Sequence, residues 1–168
     1  MTIASKVDNY LKDHDIDYRV LTHRYSEGTY NTSVAAHVSM RKLAKAVLLV
    51  DQHDNYLLAV LPASHLLNIN KLNQQLNQTY RFVEEIQLAD FFTDCSQGAV
   101  PAVGQAYDLP VICEDILYEE SEVFLEGGDH EALIQLDKAG FCTLMENQPH
   151  MTFSEGRNVS VRESGLRH

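Results

Sequence analysis

The chain has 168 residues, 45% of them hydrophobic and 22% charged, and a formal net charge of −11. A chain of this length can bury a core as one domain, and this composition excludes long disorder. The acidic balance excludes non-specific binding to DNA or RNA, which needs clustered Lys and Arg, so any nucleic-acid contact must be local. No apolar run approaches the roughly 20 residues that span a bilayer, and the N-terminus lacks the apolar stretch of a signal peptide. We therefore expect a cytoplasmic protein with no membrane contact.

The chain begins with two predicted helices around a short strand. Apolar residues at helical spacing indicate a helix over residues 2–13, and a short extended segment follows at 18–23. A second helix is predicted to begin at Thr32 or Ser33, because hydroxyl side chains are favoured at helix N-termini.

The strongest strand signal is the apolar run 46–50, and its partner is the run 56–61. The loop 51–55 between them is rich in turn formers and has the length of a hairpin connection. Both runs are continuously apolar and do not alternate, which predicts burial on both faces. We therefore expect this hairpin to lie at the centre of a sheet.

The rest of the chain interleaves short helices and strands. Helices are predicted at 68–76, 84–91 and 137–145, and strands at 110–113, 122–125 and 133–136. This pattern predicts an α+β fold: a single domain with a curved, mixed and largely antiparallel sheet and packed helices. We expect the domain to span residues 1–146, followed by a C-terminal tail of unknown structure at 147–168.

Several motifs of well-known enzymes are missing from the sequence. There is no phosphate-binding GxxxxGK(S/T) or GxGxxG loop, no HExxH zinc motif and no GxSxG nucleophile elbow. The three cysteines, Cys95, Cys113 and Cys142, are odd in number and form no CxxC pair, which argues against a disulfide framework and a zinc site. We expect reduced thiols, no metal and no cofactor.

Lys45 directly precedes the apolar run 46–50. A lysine at such a place either extends its ammonium group to water or directs it into a pocket. Arg41 and Lys42 lie just before it, and together the three residues form the dense basic cluster of an acidic chain. The cluster is either a solvated corner or a local phosphate site, since each phosphate contact uses one basic side chain.

Small residues dominate the segment 97–104. Glycines let backbone N–H groups approach a ligand and stabilise an oxyanion, so Gly98 and Gly104 are candidate catalytic positions. The alternative is an ordinary turn. A second glycine pair, at 127–128, predicts a hairpin turn with His130 near its tip.

Two more polar residues stand at the ends of predicted strands. His23 ends the segment 18–23 and is either a histidine at the core edge or a pocket residue. Asp115 follows the strand 110–113 and is either a turn cap or a site residue. Pairing of His23 or His130 with Asp115 would indicate a small-molecule hydrolase, with a pH inflection at about 6–7.

The order of these features resembles that of a known family. A strand ending in His23, an Ala-rich helix at 34–36, Lys45 with its apolar strand, Leu-Pro-Ala at 61–63 and a glycine loop at 98–104 follow one another. The segments 109–115, 123–128 and 132–137 complete the pattern. The chain is similar, over about residues 2–146, to the YbaK / prolyl-tRNA synthetase-associated domain family, which comprises trans-editing aminoacyl-tRNA deacylases.

This resemblance implies one α+β domain that hydrolyses the ester between a wrong amino acid and a tRNA 3′ end, often a tRNA for proline. It implies that Lys45 helps to hold the 3′-terminal nucleotide and that the loop from Gly98 to Gly104 shapes the amino-acid pocket and supplies backbone donors. The family loop ends in Pro-x-Gly, and relatives often carry proline at the position of Ala102, whereas this chain has Pro101. The implied partners are the tRNA acceptor end and an aminoacyl-tRNA synthetase.

The residues expected to contact substrate on this interpretation lie in four parts of the chain. They are His23, Arg41, Lys42, Ala99, Val100, Pro101, Ala102, Val103, Asp115 and His130. Attack by water and attack by a substrate thiol both remain open. The alternative function is a non-catalytic module of the same fold that binds a nucleotide, a tRNA 3′ end or a protein partner.

Overall fold

A hairpin of two apolar strands forms the middle of the sheet. The computed structural model describes residues 3–157, and in it β2 (Leu43–Val50) pairs antiparallel with β3 (Tyr56–Pro62), from Ala44 opposite Pro62 to Val50 opposite Tyr56. The Asp51 carboxylate stabilises the turn by accepting the backbone N–H groups of His53 and Asn55. The predicted hairpin is confirmed, and β2 begins three residues before the apolar run.

Four helices and eight further strands complete the described part of the chain. The helices are α1 (Ser5–Asp13), α2 (Thr29–Ala36), α3 (Ile69–Leu76) and α4 (Lys138–Leu144). The remaining strands are β1 (Arg19–Thr22), β4 (His65–Leu67), β5 (Arg81–Phe82), β6 (Val111–Glu114), β7 (Glu122–Glu126), β8 (Ala132–Asp137), β9 (His150–Met151) and β10 (Ser154–Gly156). Three short 3₁₀ helices lie at Glu85–Asp90, Gly104–Tyr107 and Asp115–Glu119.

The main sheet has the strand order β1-β8-β7-β2-β3-β6-β9, and β5 pairs with the far end of β2. The pairs β1–β8, β7–β8, β2–β3 and β2–β5 are antiparallel, whereas β2–β7, β3–β6 and β6–β9 are parallel. The predicted α+β domain with a mixed, largely antiparallel sheet is therefore confirmed, and its hairpin is central as expected.

Successive side chains of β2 point to opposite faces of the sheet, and each face packs against its own part of the hydrophobic core. Ala44 and Leu48 pack into the larger cluster, which contains residues of α1 and α4. On the opposite face, Leu49 belongs to a cluster with α3, and Leu43 to a smaller cluster that includes Ala36 of α2. Lys45 lies between these two apolar clusters of the second face.

The structure differs from the sequence prediction in several elements. The predicted helix 84–91 is a 3₁₀ helix, and α2 begins at Thr29, three residues earlier than expected, after an N-cap glycine with φ of 83°. The segment after residue 146 contributes β9 to the main sheet and β10 to a two-stranded sheet with β4. The rest of the predicted tail, residues 158–168, lies outside the described residues. No helix in residues 3–157 is both long and apolar enough to span a membrane.

Candidate functional site

A pocket opens where β2 separates from β7. The two strands pair only through Leu43 and Ala44, and the next residues of β2, Lys45 and Ala46, line a cavity of about 180 Å³. Its remaining lining comes from the start of α2, the 3₁₀ helix at 85–90, the glycine loop and the hairpin of β7 and β8. These residues are Gly28, Thr29, Thr32, Glu85, Leu88, Gly98, Val100, Glu126, His130 and Leu133.

Lys45 brings a positive charge to this pocket without a counterion. Within residues 3–157, no carboxylate lies within 4 Å of its ammonium group and no hydrogen bond uses it. Burial lowers the pKa of Lys45 to about 8, and the positive charge of Arg157 acts in the same direction. An anionic ligand would therefore find an uncompensated cation here.

The glycine loop contributes backbone donors to the same pocket. The N–H of Ala99 is already bonded to the Ser96 carbonyl oxygen at 3.0 Å, and Pro101 has no N–H. Within the part of the chain that the structure describes, the N–H groups of Gly98 and Val100 have no hydrogen-bond partner. Both residues line the same pocket as Lys45.

Gly98 allows this loop to pass close to the pocket wall. Its φ is 81°, and a Cβ at this position would lie 3.3 Å from Glu85 Oε1 and 3.7 Å from His130 Cε1. Any side chain would therefore be strained in its backbone and crowd the site.

The second half of the loop has a different environment. Ala102, Val103 and Gly104 are buried in the larger core cluster or against it and do not line the pocket. A Cβ at Gly104 would lie 2.6 Å from Val111 Cγ2, which explains the glycine by packing. The structure therefore does not bring Gly104, predicted as catalytic, to the pocket.

His130 anchors the loop to the β7–β8 connection. Its Nε2–H donates to the carbonyl oxygen of Gln97 at 2.6 Å, directly before Gly98, and its ring is buried. The Glu126 carboxylate accepts the backbone N–H groups of Gly128 at 2.9 Å and of His130 at 3.3 Å. His130 thus lines the pocket and holds the loop in place.

The other predicted site residues lie elsewhere. Arg41 pairs with Glu120 at 3.3 Å and Lys42 with Glu122 at 3.2 Å, so both are neutralised at the corner that precedes β2. Neither lines the pocket. Of the two alternatives given in the sequence analysis, a solvated corner and a local phosphate site, the surroundings of Arg41 and Lys42 match the solvated corner.

No predicted His–Asp pair forms in the structure. The carboxylate of Asp115 pairs with His150 at 2.6 Å, on an exposed surface, and not with His23 or His130. His23 Nδ1 lies 2.6 Å from the carbonyl oxygen of Arg24, and the residue does not line the pocket. The arrangement needed for a small-molecule hydrolase of that kind is therefore absent from these residues.

Two carboxylates that the sequence analysis did not single out line the pocket: Glu85 and Glu126. The one sequence signal for Glu126 is its position directly before the glycine pair 127–128. No side chain caps the N-terminus of α2, which also borders the pocket through Gly28 and Thr29. The pocket thus combines a cation, two carboxylates and free amide donors. This set of groups suits a ligand that carries a negative group, a positive group and a carbonyl oxygen. Within residues 3–157, His, Cys, Asp and Glu form no cluster of three that could hold a metal ion.

The chain is similar to known proteins in sequence and in fold. The family described as aminoacyl-tRNA editing domain matches residues 29–144. A hypothetical protein of known crystal structure shares 19% identity and a TM-score of 0.79, over 90% of this chain and 100% of that one. A candidate trans-editing enzyme for prolyl-tRNA synthetase shares 18% identity and a TM-score of 0.77, over 91% and 97% of the two chains. At these identities the likeness concerns the fold, and no curated protein sequence matches the chain significantly.

Proposed function

Since this chain belongs to the aminoacyl-tRNA editing domain family, we propose that it is a deacylase that hydrolyses the ester of mischarged tRNA. The observation that carries this proposal is the position of Lys45, unpaired and largely buried, in one pocket with the free N–H groups of Gly98 and Val100. A cation and two amide donors match the anionic 3′ end and the ester carbonyl of such a substrate.

Each charged group of the substrate has a complement in the pocket. In this proposal the Lys45 ammonium binds the phosphate or ribose region of the terminal nucleotide. The aminoacyl ester carries a free α-ammonium group, and the carboxylates of Glu85 and Glu126 supply the opposite charge on the pocket wall.

The chemistry requires stabilisation of charge more than a strong nucleophile. Water adds to the ester carbonyl carbon, and the oxygen that becomes negative accepts hydrogen bonds from the N–H groups of Gly98 and Val100. The bond to the ribose oxygen then breaks, that oxygen takes up a proton, and the free amino acid and the tRNA leave. Because the aminoacyl ester is already reactive, positioning accounts for much of the rate.

Cys95, the cysteine nearest to the loop in sequence, is not the nucleophile in this mechanism. Burial raises the pKa of its thiol to about 12, so the thiolate is scarce at neutral pH. The thiol also lies 3.4 Å from the hydroxyl of Tyr107, in a partly buried position.

We further propose that the amino acid removed is small and that the tRNA is one for proline. The cavity of about 180 Å³ has apolar side chains such as Leu88 and Val100 in its wall, which suits a small side chain, and one of the structural neighbours is described as acting for prolyl-tRNA synthetase. Each extra methylene in such a pocket changes discrimination by about 1–3 kcal/mol. A synthetase that delivers the tRNA would be a partner.

Hydrolysis of tRNAs charged with alanine, cysteine or serine tests the function. We expect the wild type to deacylate at least one of them and Lys45→Ala to lower kcat/KM at least about 100-fold, as for loss of one stabilising charge. Lys138→Ala is the matched control, because this exposed lysine begins α4 at the far end of β8. Equal turnover in both variants would remove Lys45 from the mechanism. Binding of a tRNA end without hydrolysis of any of the three would favour the non-catalytic module.

A further inference from the structure

A second group of basic side chains lies beyond Lys45, where β4 pairs with β10. His65 on β4 stands opposite Gly156, and the N–H of the next residue, Arg157, donates to the carbonyl oxygen of Ser64 at 3.0 Å. A Cβ at Gly156 would lie 3.7 Å from His65 Nε2. Leu61, which stands opposite Lys45 in the β2–β3 pair, precedes His65 by four residues, and the N–H of Ala63 between them donates to the carbonyl oxygen of Leu43 at 2.7 Å. The positive charge of Arg157 acts on Lys45, and that of Lys45 acts on His65.

A buried hydrogen-bond chain holds the His65 ring in one orientation. The carboxylate of Glu114, 2% exposed, accepts the Ser154 hydroxyl at 2.6 Å and the N–H of Phe153 at 2.9 Å. Because the single hydroxyl hydrogen of Ser154 is used in this way, its oxygen accepts from Nδ1–H of His65 at 2.8 Å. Nε2 on the other side of the ring has no partner within residues 3–157, and on protonation it becomes a free donor.

These basic groups differ from the neighbouring ones in having no carboxylate partner. Arg41 and Lys42 are paired with glutamates, whereas no ion pair within the described residues includes Lys45, His65 or Arg157. Burial is the main cause that lowers the pKa of His65, and the Glu114 carboxylate acts against it, while Lys45 and Arg41 add to the lowering. Lys45 and Arg157 have no ion-pair partner within residues 3–157, and basic groups of this kind are stabilised by an anion bound among them.

We propose that His65 and Arg157, together with Lys45, form a phosphate subsite for the phosphodiester that precedes the terminal nucleoside of the RNA 3′ end. This inference rests on the proposed function and adds the residues that hold the strand outside the catalytic pocket. Lys45 belongs to both the catalytic pocket and the phosphate subsite, so an RNA strand bound at the subsite enters the pocket with its 3′ end. The guanidinium fork of Arg157 suits a phosphate's paired oxygens.

Binding of two probes tests the subsite directly. The RNA trinucleotide CCA contains phosphodiesters, whereas adenosine contains none and reports on the pocket alone. Calorimetry at pH 5.5 and 50 mM salt, where more of the His65 imidazole is protonated, should show the trinucleotide about tenfold weaker with Arg157→Gln and several-fold weaker with His65→Asn, whose amide can still bond to Ser154. Adenosine should bind all forms equally. Arg81→Gln is the matched control, because Arg81 pairs with Val50 at the opposite end of β2, roughly 17 Å along the strand from Lys45.

Equal trinucleotide affinity for Arg157→Gln and Arg81→Gln would overturn the subsite, as would failure of the wild type to bind the trinucleotide at millimolar concentration. Inorganic phosphate that bound more tightly than the trinucleotide would assign the site to a free anion and also overturn the RNA assignment. Deacylation by the wild type is measured separately. An active wild type with no effect of Arg157→Gln leaves the proposed function standing, whereas an inactive wild type removes that function without changing the binding result.

Discussion

Lys45 is a residue whose position costs stability. It carries a positive charge on a strand between two apolar clusters, and residues 3–157 provide no counterion for it. Burial lowers its pKa to about 8, which means that the folded state binds its proton less tightly than the unfolded chain does. A side chain of equal length without the charge would fit the fold better, so we attribute the lysine to ligand binding.

Replacement of Lys45 by methionine should therefore stabilise the fold at neutral pH, by about 1–2 kcal/mol after allowance for partial exposure. Below pH 8 the wild type bears the full cost of a buried charge. Between pH 8 and about 10.5 the folded protein is neutral at this position while the unfolded chain is still protonated, so the free energy of unfolding of the wild type rises with pH. The difference in this free energy between the variant and the wild type therefore shrinks. Urea unfolding of both proteins at pH 7 and pH 10 measures the gap, and a gap that does not change with pH would contradict this account.

At the scale of elements, the segment after residue 146 is part of the fold in its described portion. Its strands β9 and β10 pair with β6 and β4, and Phe153 between them is fully buried against β3, β6 and α3. The segment also supplies Ser154 and Arg157, which border the proposed subsite. Folding of this segment onto the sheet is therefore required for the subsite to exist.

Truncation of Phe153 to alanine should lower the free energy of unfolding by about 3–5 kcal/mol, because it leaves a cavity in a well-packed cluster. Phe82→Ala provides the comparison, since Phe82 is 52% exposed and should cost much less. Urea unfolding of the two variants gives the difference. Equal and small effects would mean that the segment does not pack as the structure describes.

At the scale of the whole molecule, charge opposes tRNA. The net charge is −11, and several cations are neutralised locally, as in the pairs Lys12–Asp8, Arg41–Glu120 and Lys42–Glu122. A polyanionic substrate is therefore repelled at long range and held by a few contacts at its end. Such binding should depend much less on salt than binding along a basic surface.

We expect the logarithm of tRNA affinity to fall against the logarithm of salt concentration with a slope no steeper than about −2. Each of the three cationic side chains that contact the single-stranded RNA end contributes roughly −0.7 to that slope. Salt also screens the long-range repulsion between protein and tRNA, which offsets part of this decrease in affinity. The measurement is KM for the best mischarged tRNA between 50 and 300 mM KCl, with single-turnover data to give affinity. A slope near −5 would indicate a wider contact surface than the one proposed.

The sequence by itself determined the centre of the fold. Continuous apolar runs on both sides of a turn-rich loop specify a hairpin buried on both faces, and that pattern is local, so it can be read along the chain. The placement of Lys45 before the apolar run and of Gly98 in a small-residue loop was visible for the same reason. Local patterns were weaker for β4, β9 and β10, which have two or three residues each and exist only because a partner strand is present.

Tertiary structure alone decided which residues surround the pocket. Glu85 comes from the 3₁₀ helix at 85–90, whereas Glu126 and His130 come from the end of β7 and its connection to β8, and these segments meet at the point where β2 leaves β7 after two pairs of residues. The same packing withdrew Gly104 into the core and gave Arg41 a carboxylate partner from a residue 79 positions away. Contacts of this kind depend on how elements pack across the sheet, and hydrophobic periodicity along the chain carries no information about them.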